Sequence, residues 1–147
     1  MKLPDSSDCI FCSIVRHDTS ARIIHENESA LALLDVFPLR AGHALVITKK
    51  HYGKLQELEK EDCNSLLQLV IKVSDGLERS MNMNATLIAI HNGREAGQEI
   101  PHVHVHIVPR VSGDGGAPIH SIFKSRVNLD EQDMDKILNE LKKKISN

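Results

Sequence analysis

Gly97-Gln98-Glu99-Ile100-Pro101-His102-Val103-His104-Val105-His106-Ile107-Val108-Pro109-Arg110 is the stretch that decides the fold of this chain. On a strand, side chains alternate between faces, so His102, His104 and His106 share one face while Val103, Val105 and Ile107 share the other. One face carries chemistry and the other carries core. Successive imidazoles start roughly 6.5 to 7 Å apart, far enough for separate tasks and close enough to share one small ligand. A single histidine on an apolar strand is commonly a satisfied core residue. Three of them alternating with branched apolar residues are a costly way to build a structural face.

The composition limits what surrounds this strand. A chain of 147 residues is the size of one ordinary domain, expected here over 1–147. Hydrophobic residues make up 41% and charged residues 26%, a globular balance. A net charge of -2 gives no reason to expect bulk affinity for nucleic acid or an anionic membrane, so any phosphate handled belongs to a small molecule. No segment approaches the ~20 apolar residues needed to cross a bilayer, and the expectation is a cytoplasmic protein. Three cysteines are poor material for a disulfide framework. The close pair Cys9 and Cys12 therefore raises metal or redox chemistry, against the alternative of two small hydrophobes on a short turn or helix.

Residues 1–8 are polar and aperiodic, and read as a loose arm. Residues 21–25 and 30–36 are β-prone runs separated by Glu26-Asn27-Glu28, a hairpin pattern. Asp35 ends the second run, where a carboxylate can accept two hydrogen bonds from a ribose diol or cap the following turn. Gly42 and His43 lead into Ala44-Leu45-Val46-Ile47-Thr48, a buried-looking strand. Over 59–79, Leu66, Val70, Val73 and Leu77 recur at helical spacing, with Leu67 and Ile71 expected to widen the buried stripe. Residues 85–90 read as a further strand. Gly93 and Gly97 bracket a loop whose backbone N–H groups are free to approach an anion. Residues 112–118 are a flexible loop by composition, and 130–144 form a C-terminal helix with acids first and lysines last, as the helix dipole favours. Strands with helices between and after them give an α+β domain on an antiparallel sheet.

The run from His102 to Pro109 resembles the signature of the histidine triad (HIT) superfamily. The resemblance extends to Cys9-Ile10-Phe11-Cys12, Leu34-Asp35, the segment from Gly42-His43 to Lys49-Lys50-His51, and Asn92-Gly93 followed by Ala96-Gly97-Gln98-Glu99, all in family order over residues 9–110. It implies a HIT-like α+β fold with a five-stranded antiparallel sheet, one long central helix and, over 111–147, a loop plus a C-terminal helix. It implies a homodimer acting on purine nucleotide conjugates, such as adenylyl phosphoramidates or dinucleoside polyphosphates, through a nucleotidyl-histidine intermediate on His104. No organic cofactor is expected.

The same resemblance assigns Gln98 and His106 to the phosphate oxygens, Asp35 to the ribose, and Ile10, Phe11, Ile14 and Leu33 to the base pocket. Backbone N–H groups near Gly97 to Glu99 are further candidate donors. Two positions depart from the family pattern. His91 stands where many members carry Asn or Gln, and Glu99 stands where the nucleoside phosphoramidases carry a serine thought to assist the leaving group. Some bacterial-type members hold structural zinc at positions matching Cys9, Cys12, His51 and His102, a closed set that leaves His104 and His106 free. Two rival readings use the same residues: a metal-dependent hydrolase with the triad as ligands, and a non-catalytic nucleotide sensor or scaffold.

Overall fold

The computed structural model describes residues 6–146 and contains two compact units, one reaching to Asp114 and one starting at Gly115. All the motifs expected of a single domain lie in the first unit. Of the N-terminal arm, Ser6–Asp8 form a turn of 3-10 helix, and residues 1–5 lie outside the described residues. A short helix α1 (Ile10–Val15) follows, then strands β1 (Ile23–Glu26), β2 (Ala30–Leu34) and β3 (Ala44–Thr48), the helix α2 (Lys60–Ser80), and strands β4 (Ala85–Ala89) and β5 (His104–Arg110). The strands form one sheet in the order β1-β2-β3-β5-β4, and every neighbouring pair is antiparallel. The expected α+β class, five-stranded sheet and hairpin are all present. The strand at the centre of the sequence argument starts at His104, so His102 sits in the bend just before it.

Both faces of the sheet are covered, which is why β2 and β3 read as unbroken apolar runs. Alternation sends Ala30, Ala32, Ala44, Val46, Val105 and Ile107 to the face under α2, where they pack with Leu66, Leu69, Val70 and Val73. Small side chains on the three alanines let the helix approach closely. The opposite set, Leu31, Leu33, Leu45 and Ile47, packs with Phe11 and Ile14 of α1. Register then fixes where the histidines lie: His104 is paired with Ile47 and His106 with Leu45, so both histidines share the α1 face with those leucine and isoleucine side chains.

The helical stripe differs from the sequence expectation on one side. Leu67 and Ile71 do not widen the buried stripe; they are 58% and 62% exposed, while Leu69, one position off the expected row, is buried. The side of the helix that meets the sheet is one narrow face, and residues 66, 69, 70 and 73 fill it. At the start of β3, Gly42 has φ +88°, and a Cβ there would fall 2.5 Å from the sulfur of Met81. Only glycine allows the chain to turn against Met81 and deliver His43 into the sheet.

The second unit contains a 3-10 turn at Ile119–Ser121 and the helix α3 (Glu131–Ile145). Asp130 caps α3 by accepting from the Asp133 N–H at 2.8 Å, and Lys142, Lys143 and Lys144 occupy its last turn.

Candidate functional site

A neutral imidazole has one proton and one bare nitrogen, so the partner of one nitrogen fixes the task of the other. The three histidines of the motif are each fixed in this way. His102 is fully buried, and its Nε2 lies 2.7 Å from the Thr48 carbonyl oxygen, which can only accept. Nε2 therefore carries the proton and Nδ1 is bare. His104 places Nδ1 2.7 Å from the His102 carbonyl oxygen, so its proton is on Nδ1 and Nε2 is the bare nitrogen. Burial pushes the pKa of His104 below its ordinary value and brings that of His102 down to about 4, so both rings are neutral at pH 7.

His106 is fixed through His43, a motif residue to which the sequence assigned no role. The Leu39 N–H donates to His43 Nδ1 at 3.1 Å, which puts the His43 proton on Nε2. That nitrogen lies 3.0 Å from His106 Nδ1 and 3.4 Å from Asp35 Oδ2. His106 accepts at Nδ1 and so presents Nε2–H as a donor. Burial, reinforced by His104 and His43, lowers its pKa to about 4, and burial lowers that of His43 against the opposing pull of Asp35. The sequence signal for His43 was its place immediately before β3, the neighbour of β5. Thr48 ends the same strand and likewise was assigned no role.

Cys9, Cys12, His51 and His102 are brought together, with one ligand atom from each within 4.8 Å of all the others. Cys9 Sγ and Cys12 Sγ lie 3.4 and 3.5 Å from His102 Nδ1, and Cys12 Sγ lies 3.3 Å from His51 Nδ1. A tetrahedron with metal–sulfur bonds of about 2.3 Å and metal–nitrogen bonds of about 2.0 to 2.1 Å has sulfur–nitrogen edges of about 3.5 Å. Burial and the adjacent Cys9 push the Cys12 thiol up to about 11, the direction expected for two close sulfurs with no cation between them. The bare nitrogen of His102 faces these sulfurs, and Thr48 supplies the kind of outer hydrogen bond that would hold a ligating imidazole in place.

A second group, Asp35, His43 and His106, is equally compact. Its tautomers argue against a metal. Ligation through His43 Nε2 would move the ring proton to Nδ1, directly against the Leu39 N–H. A metal on the triad itself also lacks ligands, because the bare nitrogen of His102 faces the cysteines and that of His106 accepts from His43.

The other site candidates divide. Phe11, Ile14 and Leu33 share one buried cluster, and the Phe11 ring lies 5.6 Å from that of His102 and 5.1 Å from that of His104. Ile10 is apart from them, 44% exposed and lining a hollow with Cys9, His51, Glu99 and Pro101. Asp35 caps the next turn through Oδ1, which accepts from the Phe37 N–H at 2.8 Å, so one of the two open readings is realised while Oδ2 faces His43. Gln98 accepts from Gly93 N–H at 2.8 Å and donates to the carbonyls of Gly53 and Ile100 at 2.9 and 3.1 Å, which uses both amide hydrogens. The N–H groups of Gly97 and Gln98 are bonded to Arg94 and Gly93 carbonyls. Among the described residues the N–H of Glu99, like those of Arg94, Glu95 and Ile100, has no acceptor. The His91 ring lies beside Gly97, where a Cβ would meet it at an ordinary 3.7 Å, so it is the φ of +96° that calls for glycine there; the ring is 5.4 Å from that of His106.

The pH dependence of stability follows from His106. An unfolded histidine binds its proton below about 6.5, whereas folded His106 binds it only below about 4. Between these values the unfolded state holds more protons, so stability falls as pH drops through the window, by at most about 3 kcal/mol from this group. Urea unfolding at pH 7 and pH 5 measures it; equal midpoints would contradict the assignment.

Residues 16–113 match the HIT domain model. The chain is 37% identical over 134 residues to a HIT-like protein of Methanocaldococcus jannaschii, covering 91% of this chain and 98% of that one. It is 42% identical over 108 residues to the adenosine 5′-monophosphoramidase of Schizosaccharomyces pombe, covering 74% and 78% respectively. Among solved structures, a HIT family member from Bacillus subtilis superposes with a TM-score of 0.82 at 30% identity, covering 92% of this chain and 96% of that one. With the triad, its strand and the sheet order in agreement with a match over two-thirds of its length, this chain belongs to the HIT family.

Proposed function

We propose that the chain hydrolyses nucleoside monophosphate conjugates at the α-phosphorus, with His104 as the nucleophile. The observation that carries this reading is the 2.7 Å hydrogen bond from His104 Nδ1–H to the His102 carbonyl, which leaves Nε2 bare on a neutral ring. His104 Nε2 attacks phosphorus and the bond to the leaving group breaks, the departing atom taking a proton from solvent. The imidazolium so formed keeps its Nδ1–H on the His102 carbonyl, which stabilises the new positive charge. Water then displaces the imidazole, releasing the nucleoside monophosphate and neutral His104. His106 Nε2–H and Glu99 N–H are donors for the non-bridging oxygens, already oriented before charge develops.

In this reading Asp35 Oδ2 takes the ribose hydroxyls, and Phe11, Ile14, Leu33 and the more exposed Ile10 bound the purine. His91, Gly97 and Glu99 border the phosphate and its leaving group. Gln98 serves by holding the loop, since its amide is already used there. The similarity to an adenosine 5′-monophosphoramidase favours phosphoramidates over dinucleoside polyphosphates. His104→Ala is expected to lower single-turnover rate on adenosine 5′-monophosphoramidate by several orders of magnitude while AMP binding persists. Turnover near wild type would end the proposal.

The cysteine–histidine cluster is assigned to structural zinc, with no position left for water or substrate. Protein purified without chelator or histidine tag is expected to contain one zinc per chain by elemental analysis, and zinc removal should lower Tm and weaken AMP binding together. Well under one zinc, with no change in Tm on adding it, would refute the site.

A homodimer is the expected assembly. β4 is an unpaired sheet edge with Leu87 and Ile88 exposed, and Ile88, paired with Ile107, lies on the face that also carries α2 with its exposed Leu67 and Ile71. A twofold pairing of β4 with β4 would cover this edge. Sedimentation at micromolar concentration should give twice the 16.4 kDa chain mass, reduced to one chain by Ile88→Lys. A wild-type species of 16.4 kDa would contradict it.

A further inference from the structure

His43 has a single ring proton and two acceptors for it. Its Nδ1 is held by the Leu39 N–H, so the proton is on Nε2, between His106 Nδ1 at 3.0 Å and Asp35 Oδ2 at 3.4 Å. His43 is buried, and no other proton donor faces His106 Nδ1 among the described residues. The competing carboxylate is not sealed off: the Asp35 side chain is 14% exposed, and its Oδ1 is already occupied by the Phe37 N–H. Oδ2 is thus the oxygen that an incoming hydroxyl meets.

The two acceptors are the groups that the proposed function assigns to different parts of one substrate. Whenever the His43 proton turns to Asp35, His106 Nδ1 loses its donor. The ring of His106 is then free to move its own proton to Nδ1 and face the phosphate with a lone pair, which repels the developing charge. Hydroxyl donors on Asp35 Oδ2 satisfy that carboxylate and remove it from the competition.

We propose that His43 is a positioning residue that couples ribose recognition to phosphate activation: a diol on Asp35 directs the His43 proton wholly to His106 and so fixes His106 as the donor at the phosphate. This rests on the hydrolase reading above. The ribose then contributes to the rate of the chemical step as well as to binding. The size of the effect is that of one neutral hydrogen bond gained, on the order of tenfold in kcat.

The test compares adenosine 5′-monophosphoramidate with its 2′,3′-dideoxy counterpart on wild type, His43→Gln and His43→Phe, with kcat and KM measured separately. On wild type, loss of the diol is expected to raise KM and also to lower kcat by about tenfold. On His43→Phe, which has no donor, kcat on the ribose substrate should fall and the kcat difference between substrates should vanish, while the KM difference persists because Asp35 is intact. His43→Gln, whose amide N–H can occupy the place of Nε2–H, should restore kcat on the ribose substrate. Equal kcat for the two substrates on wild type overturns the coupling, as does an undiminished kcat ratio in His43→Phe. If His43→Phe does not fold, the wild-type and His43→Gln comparisons decide it alone. Absence of turnover on both substrates refutes the hydrolase reading instead. Imidazole nitrogen NMR of His106, titrated with AMP and with 2′,3′-dideoxy-AMP, then decides the coupling: a shift to full Nε2 protonation with AMP only supports it, and identical shifts or no binding overturn it.

Discussion

Each histidine of the motif has a hydrogen-bond partner that favours one of its two nitrogens for the single proton, and the candidate site depends on that constraint. The Thr48 carbonyl turns the bare nitrogen of His102 toward the cysteines. The His102 carbonyl leaves Nε2 bare on His104. His43, itself held by the Leu39 N–H, gives His106 a proton on the opposite nitrogen from His104. Three identical side chains, alternating along one short segment, thereby acquire a ligand geometry, a nucleophile geometry and a donor geometry. Burial keeps the rings neutral, and a proton added to any of them would erase the distinction.

The sheet supplies these partners by register. Antiparallel pairing of β3 with β5 sets Ile47 opposite His104 and Leu45 opposite His106, so the two ends of β3 flank the motif. Thr48 lies at one end and His43 immediately beyond the other, and these are the residues that hold His102 and His106. A shift of register by one residue would send every histidine under α2, among the alanines and valines that pack there. Packing enforces the correct register, because leucine and isoleucine on one face and alanine on the other cannot exchange without overfilling the space below the helix.

Much of this was legible in the sequence because alternation and spacing are local. The five strands, the hairpin at Glu26-Asn27-Glu28, the long helix and the grouping of Cys9, Cys12, His51 and His102 follow from patterns within a few residues or from family order. What escaped depends on distance. Leu67 and Ile71 fit a helical stripe as well as Leu69 does, and only the sheet below decides which row is buried. The part played by His43 depends on a partner 63 positions away. Gln98 looked like a phosphate donor because an amide is one, yet its three bonds within 53–100 are settled by how the loop closes. Of the two open readings of Asp35 the turn cap is realised at Oδ1, and Oδ2 faces His43.

His102 links the two halves of the site through separate parts of one residue. Its ring belongs to the cysteine–histidine cluster, and its backbone carbonyl orients His104. A side chain that swings leaves its own carbonyl free to tilt, so fixing the ring at both nitrogens also restrains the peptide that holds His104. Phe11 adds a second restraint from the same direction, with its ring set edge-on to His102 and tilted against His104, from a helix that begins between the two cysteines. A tie at Cys9 and Cys12 therefore acts on His104 by two routes, through the His102 peptide and through the Phe11 ring. The cluster need not touch a ligand to bear on His104: its position relative to β5 is enough, and under the proposed mechanism an attacking nitrogen displaced by about 1 Å loses much of the advantage that orientation confers.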